Sequence, residues 1–456
     1  MPNSFAYLVL LVWPLVVVFL LQRFKLGLGS LLSLISAYMF LPAAMSIDFW
    51  MIPPLDKFSL TTITIIFYFL AKKESFGFDV LPRNYRVIIA TAFFVPFMNA
   101  LLNSNSYLHL PGLSLYDGLT SSVNEFLYFF PFLIGAKFFK DQRSHKKLFQ
   151  YFALASLVYA FLALYEIRLS PQLHSMLYGY FPHSWLQQKR EGGFRAVLFM
   201  GHGLLVGMFL SIGLGCWLAI KKAGVKISRI NTTLCVILLI ITLIYMKTFS
   251  AIIYAVIASL AITYFSKRKQ ILISVMVASL FITYPLLSAT GLFPHKEIVS
   301  LVQNISSERA ASLEYRFDNE SALLEHANEK AFFGWGGWGR NRVFDVDTGQ
   351  DISVTDGYWI IVLGTYGWIG FLGKFLFFFL PIWFVFRKYK SMHFESEESR
   401  VLLVAHTLIL SLILLDQLPN SSLANNSLYW LIAGSLLGRA RSLVDKKREI
   451  DHTETR

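Results

Sequence analysis

Apolar runs of roughly 18–20 residues recur from one end of the chain to the other, and that is the length at which a helix crosses about 30 Å of hydrocarbon. They lie at 5–21, 27–44, 58–71, 87–102, 119–136, 148–167, 196–220, 231–246, 249–265, 271–290, 358–386, 401–418 and 427–438. The pattern predicts an all-α, polytopic transmembrane helix bundle of about 12–13 spans, with one large loop containing helices between the late spans. Four regions follow: spans over 1–290, the loop at 291–356, further spans over 357–442, and a short solvated tail at 443–456.

Two stretches depart from simple spans. In 234–265, Lys247, Thr248 and Ser250 interrupt an apolar stretch too long for one straight crossing, which predicts two spans joined by a tight hairpin at Lys247. The stretch 357–386 is also long and contains Gly364, Gly367, Gly370 and Lys374. It predicts an interfacial helix to about Tyr366 and a span from about Trp368. Within the loop, Ala310, Leu313, Phe317, Leu324, Ala327 and Phe332 fall near helical spacing, so 306–332 reads as an amphipathic helix. Ser306 or Ser307 suits its start, and the glycines from Gly334 end it.

Composition agrees: 55% of the 456 residues are hydrophobic and only 15% charged, against about 25% charged in ordinary soluble domains. The net charge of +13 invites a nucleic-acid reading. Its distribution argues for a bilayer instead, since 28 of the 41 Lys and Arg residues sit in seven short clusters between apolar runs, all on one side if the thirteen spans are real. The positive-inside rule makes that side cytoplasmic and turns the loop at 291–356 outward. Arg23 and Lys25 follow the first run rather than precede it, which predicts a retained span rather than a signal peptide. Cys216 and Cys235 lie inside apolar runs and read as small buried residues.

No phosphate-binding loop, His-Glu-x-x-His motif or cysteine–histidine cluster is present, so neither a cofactor nor a metal is expected. The ionisable groups that stand out lie on outward segments. Glu191-Gly192-Gly193-Phe194-Arg195 leads into a span carrying His202, about two turns deeper. An arginine there suits snorkelling to the interface, whereas an intramembrane histidine usually faces a cavity. Glu314-Tyr315-Arg316-Phe317-Asp318 suits either surface ion pairs or a site. Trp335 to Arg342 places tryptophans between glycines ahead of Arg340 and Arg342, which suits an aromatic belt or stacking on a sugar beside a phosphate. Thr355-Asp356-Gly357-Tyr358 puts a carboxylate where the chain re-enters the membrane, as a helix cap or as a reactive group.

These segments, in this order, resemble the O-antigen ligase and O-antigen polymerase superfamily of bacterial inner-membrane proteins. The matching features are Gly193-Phe194-Arg195 with His202 downstream, Thr248-Phe249-Ser250 in the hairpin, Arg316 leading to Gly334-Trp335-Gly336, and the re-entry segment from Asp356 to Gly370. The likeness runs from about residue 190 to 435. It implies a metal-independent glycosyltransferase that moves a glycan from a polyprenyl-diphosphate carrier to an acceptor at the periplasmic face. By that resemblance Arg195 and Arg316 contact the diphosphate, a role suited to a permanently charged, bidentate fork. Ligases carry histidine where this chain has Asp356, and Thr248-Phe249-Ser250-Ala251 lacks the arginine often seen after the hairpin serine. Both departures favour the polymerase-like branch.

The expected function is therefore polymerisation of O-antigen or exopolysaccharide repeat units, with Asp356 as general base and Arg195 and Arg316 holding the leaving diphosphate. His202, Trp335, Arg340 and Tyr358 would line the substrate site. The implied partners are a polyprenyl-diphosphate-linked oligosaccharide, a glycan acceptor, the lipid bilayer and a chain-length regulator, with no nucleic acid. A ligase acting on lipid A–core and a non-enzymatic glycolipid translocase are the alternatives.

Overall fold

The computed structural model describes residues 1–48, 53–190, 192–304, 306–424 and 426–454. The chain forms α1 (Ser4–Arg23), α2 (Leu26–Phe40), α3 (Lys57–Ala71), α4 (Arg83–Leu102), α5 (Leu115–Phe138), α6 (Gln142–Leu169) and the short α7 (Leu173–Tyr178). A two-residue hairpin follows, β1 (Lys189–Arg190) against β2 (Gly193–Phe194). Then come α8 (Gly203–Lys222), α9 (Thr232–Tyr245), α10 (Phe249–Tyr264), α11 (Lys267–Ala289), α12 (His295–Gln303), α13 (Ser307–Glu329), α14 (Tyr358–Lys388), α15 (Glu397–Asp416) and α16 (Ser427–Glu454).

A helix occupies each of the thirteen apolar runs. Among the described residues, α1, α4, α6, α8, α11, α14 and α15 are long and apolar enough to cross a membrane, and α2, α3, α9 and α10 are shorter apolar helices. The protein is a multi-pass, all-α membrane protein. α8 and α15 are buried on nearly every side, because they are apolar all round. α1 and α9 leave Leu11, Leu15, Phe19, Leu234 and Ile237 exposed, as lipid-facing helices do. α5 and α16 cross in close contact. A Cβ added at Gly434 would lie 1.9 Å from the Phe132 carbonyl oxygen, and one at Gly135 2.2 Å from that of Leu431. Small residues at such crossings let backbones approach and gain dispersion contacts, which drive helix association where lipid is as apolar as the side chains.

Three sequence expectations change. The run at 196–220 is helical only from Gly203, and 195–202 passes through the protein as non-helical backbone. The predicted break in 357–386 exists, since Gly367 interrupts α14 with φ 65° and ψ −173°. The segment before it is not an exposed amphipathic helix, because Trp359, Ile360, Val362 and Leu363 are all buried within the protein. The tail at 443–456 is not a separate segment, because α16 runs on to Glu454 with Leu443 and Val444 packed in the core. As expected, Ser306 caps α13 by accepting from the Arg309 amide at 3.3 Å, and the α9–α10 hairpin turns at Lys247 with φ 52°.

Candidate active site

The break in α14 and the Gly334-Trp335-Gly336 turn are built against each other. A helix interrupted inside a membrane protein leaves amides and carbonyls that other protein groups must satisfy. The Trp335 amide donates to the Gly364 carbonyl at 2.8 Å and the Gly336 amide to that of Thr365 at 3.0 Å. In return, the Trp368 and Ile369 amides donate to the carbonyls of Ala331 and Phe332 at 2.7 and 3.3 Å. The Asn99 side-chain amide from α4 donates to Phe333 and Thr365 at 2.6 and 2.8 Å. Asn103, one turn on, donates to Gly334 at 3.1 Å and accepts from the Lys330 ammonium at 2.6 Å. The loop is thereby fixed to α14 and α4 through backbone groups.

That docking brings α13 over the start of α14. The Arg316 Nε lies 3.3 Å from the Asp356 carboxylate, and its Nη1 donates to the Pro419 carbonyl at 3.3 Å. Both side chains of the pair are a little over one-third exposed, so their attraction is worth at most about 1 kcal/mol and a stronger anion can displace it. Glu320, one turn along α13, is buried and accepts from the Tyr284 hydroxyl at 2.7 Å. Burial pushes its carboxyl up to about 7, with the Asp356 charge adding to the rise while Tyr284 and Arg316 oppose it.

The turn after α15 ties these parts together. The Asn420 carbonyl accepts from the Tyr358 amide at 3.0 Å, and the Asn420 side chain donates to the hairpin residue Ser250 at 3.3 Å and to Asp416 at 2.7 Å. With Pro419 on Arg316, one short turn touches the hairpin, the loop helix and the re-entry segment. Sequence reasoning missed it. The available signal was density: Asp416, Gln417, Asn420, Ser421, Ser422, Asn425, Asn426 and Ser427 cluster where two apolar runs meet.

Arg195 enters on a separate segment. Glu166 of α6 accepts from the amides of Val197 and Leu198 at 2.9 and 2.8 Å, and the Lys57 ammonium donates to the Phe199 carbonyl at 2.8 Å. These bonds satisfy backbone that a helix would have satisfied itself. Arg195 is buried, and its stem crosses Gly203, where an added Cβ would lie 2.1 Å from the arginine Cδ. His202 is not two turns deep in a span. It caps α8, its Nδ1 accepting from the Leu204 amide at 3.1 Å, with its ring edge-on to His183 at 4.7 Å. Glu191 lies outside the described residues.

Trp335 and Arg340 belong to the loop's framework, which corrects the expectation that they line a substrate site. Trp335 is buried, stacks on His326 at 4.3 Å and donates from Nε1 to the His326 carbonyl at 2.7 Å. Arg340 is only 2% exposed, and its Nη1 donates to the carbonyls of Asn105 and Pro111 at 3.0 and 2.8 Å. The Arg340 guanidinium holds the segment between α4 and α5 beneath the loop, and the Trp335 indole fastens the Gly/Trp turn to α13. Trp338 is exposed and donates to Asp117 at the start of α5 at 3.1 Å.

A cavity of about 590 Å³ opens among the loop-side ends of α2, α3, α5, α8 and α14. Tyr358 lines it, two residues after Asp356, and so does Met200, five residues after Arg195. Its wall also carries Lys374, whose ammonium donates to Glu125 at 2.6 Å and to the Tyr358 hydroxyl at 3.1 Å. Glu125 escaped sequence reasoning, although an ionisable group inside a predicted span is the signal for such a site.

Compared with known protein families and with curated proteins, the chain matches no family model and no individual protein.

Proposed function

We propose that this chain is a membrane glycosyltransferase that extends a polysaccharide at the periplasmic face of a bacterial inner membrane, taking repeat units from a polyprenyl-diphosphate carrier. The observation that carries the reading is the Arg316–Asp356 pair, a displaceable arginine and a carboxylate held at the entry of α14 beside a polar cavity. A diphosphate offers Arg316 a stronger partner than Asp356 does, because phosphate oxygens accept a bidentate fork and carry more charge. Substrate binding then moves Arg316 onto the phosphate and releases Asp356.

The transfer follows from that exchange. Asp356 takes the proton of an acceptor hydroxyl within hydrogen-bond reach. The oxygen attacks the anomeric carbon of the donor sugar, the bond from that carbon to the carrier phosphate breaks, and the polyprenyl diphosphate departs with the electron pair. Arg316 and Arg195 stabilise the charge that develops on it. Tyr358, which lines the cavity, would meet the acceptor, and His202, the cap of α8, lies between the cavity residues Met200 and Leu205 in sequence.

The test is glycan chain length in the host after Asp356→Asn and Arg316→Ala, at matched protein levels. Loss of long chains with accumulation of single repeat units is expected. Unchanged polymer would sink these assignments, and long carrier-linked polymer that never reaches its final acceptor would identify a ligase instead.

A further inference from the structure

We propose that the cavity lined by Tyr358 is a subsite for an uncharged, hydroxyl-rich saccharide, with Glu125 and Asn124 as the groups that hold it. Its role as the acceptor subsite rests on the glycosyl-transfer reading, whereas the binding itself does not.

The charges inside the cavity decide what fits. Among the described residues, two cations and two carboxylates line it: Lys57, Lys374, Asp56 and Glu125. Both lysines are already committed. Lys374 is held by Glu125, by the Tyr358 hydroxyl and over the rings of Tyr358 and Tyr366 at 5.5 and 5.4 Å. Lys57 donates to the carbonyls of Phe199 and Tyr38 at 2.8 and 3.4 Å. A diphosphate entering here would meet two carboxylates and no uncommitted lysine, so it belongs with Arg316 outside. A sugar hydroxyl meets the opposite situation. An ionised carboxylate has about four lone-pair sites, and one ammonium does not fill them. Hydroxyls that donate to Glu125 and Asn124 form the kind of small, fixed polar set that gives a pocket its specificity. The ring of Tyr128, which also lines the cavity and is not covered by Lys374, adds flat apolar surface with a polar tip for the carbon side of the sugar. The volume lies within the roughly 300–1,000 Å³ of small-molecule sites.

The test uses the full-length protein in lipid nanodiscs, titrated with the repeat-unit oligosaccharide hydrolysed from the host's own polysaccharide and, separately, with inorganic pyrophosphate. Glu125→Gln and Asn124→Ala are expected to weaken oligosaccharide binding about tenfold, the loss of one good hydrogen bond, with pyrophosphate binding unchanged. Arg316→Ala is expected to do the reverse. Asn124 lies outside the ion pair, so its variant carries the test if Glu125→Gln does not fold. Unchanged oligosaccharide affinity in the folded variants, or loss of pyrophosphate binding with Glu125→Gln, overturns the proposal. A protein that binds saccharide through Glu125 but forms no glycosidic bond loses the transfer reading and keeps the subsite. One that polymerises normally with a mutated cavity loses only the subsite.

Discussion

Replacing Gly367 by alanine attacks the contact on which the loop depends. With φ 65° and ψ −173°, Gly367 sits in a region of backbone space that is almost exclusively glycine's, and forcing another residue into it costs about 1–3 kcal/mol. Space adds to the cost. The new Cβ would lie 2.4 Å from both the carbonyl carbon and the oxygen of Phe332 and 2.6 Å from the oxygen of Ala331. These are backbone atoms, so relief requires the loop to move. Movement breaks the bonds from the Trp368 and Ile369 amides, each worth about 1 kcal/mol net. The total is a destabilisation of roughly 3–5 kcal/mol. Gly373 supplies the control: it lies within the helical part of α14, and its added Cβ meets nothing nearer than the Thr91 methyl at 3.5 Å. Thermal unfolding of both variants in one detergent, with limited proteolysis of the loop, reads the difference. Gly367→Ala should melt several degrees lower and release the loop to protease, while Gly373→Ala stays near the parent. Equal melting of the two would refute the idea that the break in α14 anchors the loop.

Two further outcomes follow from the same geometry. Glu320 is raised by burial to about 7, above its unfolded value, so its contribution to stability is complete at low pH and is lost as pH rises through 7. Melting temperature should fall between about pH 4.5 and 7 and level off above 7, by an amount bounded at roughly 3 kcal/mol, and Glu320→Gln should flatten that dependence; a profile of the same slope in the variant would exclude Glu320 as its source. Arg340→Met strips two buried carbonyls of a charged donor, which predicts a loss of roughly 2–4 kcal/mol in unfolding assays, with the KM for carrier-linked donor unchanged in the folded fraction. A raised KM without loss of stability would return Arg340 to the substrate site.

Helix positions were legible because each rests on a local pattern. A run of apolar residues, a hairpin at Lys247 and a glycine at 367 each leave a mark within a few positions. The site was legible only where two distant segments each carried an unusual charge. Arg316 and Asp356 were singled out separately, and the structure joins them. Trp335 and Arg340 were misplaced for a physical reason. Between glycines, a tryptophan and an arginine look the same to a sequence reader whether they face a sugar or satisfy buried carbonyls, and the carbonyls of Asn105 and Pro111 lie 235 and 229 residues away along the chain. His202 was placed too deep because an apolar run does not reveal that its first residues are held by Glu166 rather than by a helix.

The break in α14 explains why the Arg316–Asp356 pair sits where it does. A continuous helix from Tyr358 to Lys388 would satisfy its own carbonyls at Gly364 and Thr365 and offer the loop nothing to bind. Because Gly367 interrupts it, those carbonyls accept from Trp335 and Gly336, and α13 ends where the loop is anchored. The start of α14 is fixed from the other side by Asn420, whose carbonyl takes the Tyr358 amide, while its neighbour Pro419 takes Arg316. Arg316 and Asp356 are thus each positioned by backbone contacts that do not depend on their own weak attraction. That separation suits the proposed exchange of partners: the frame would keep its geometry while Arg316 left Asp356 for an anion.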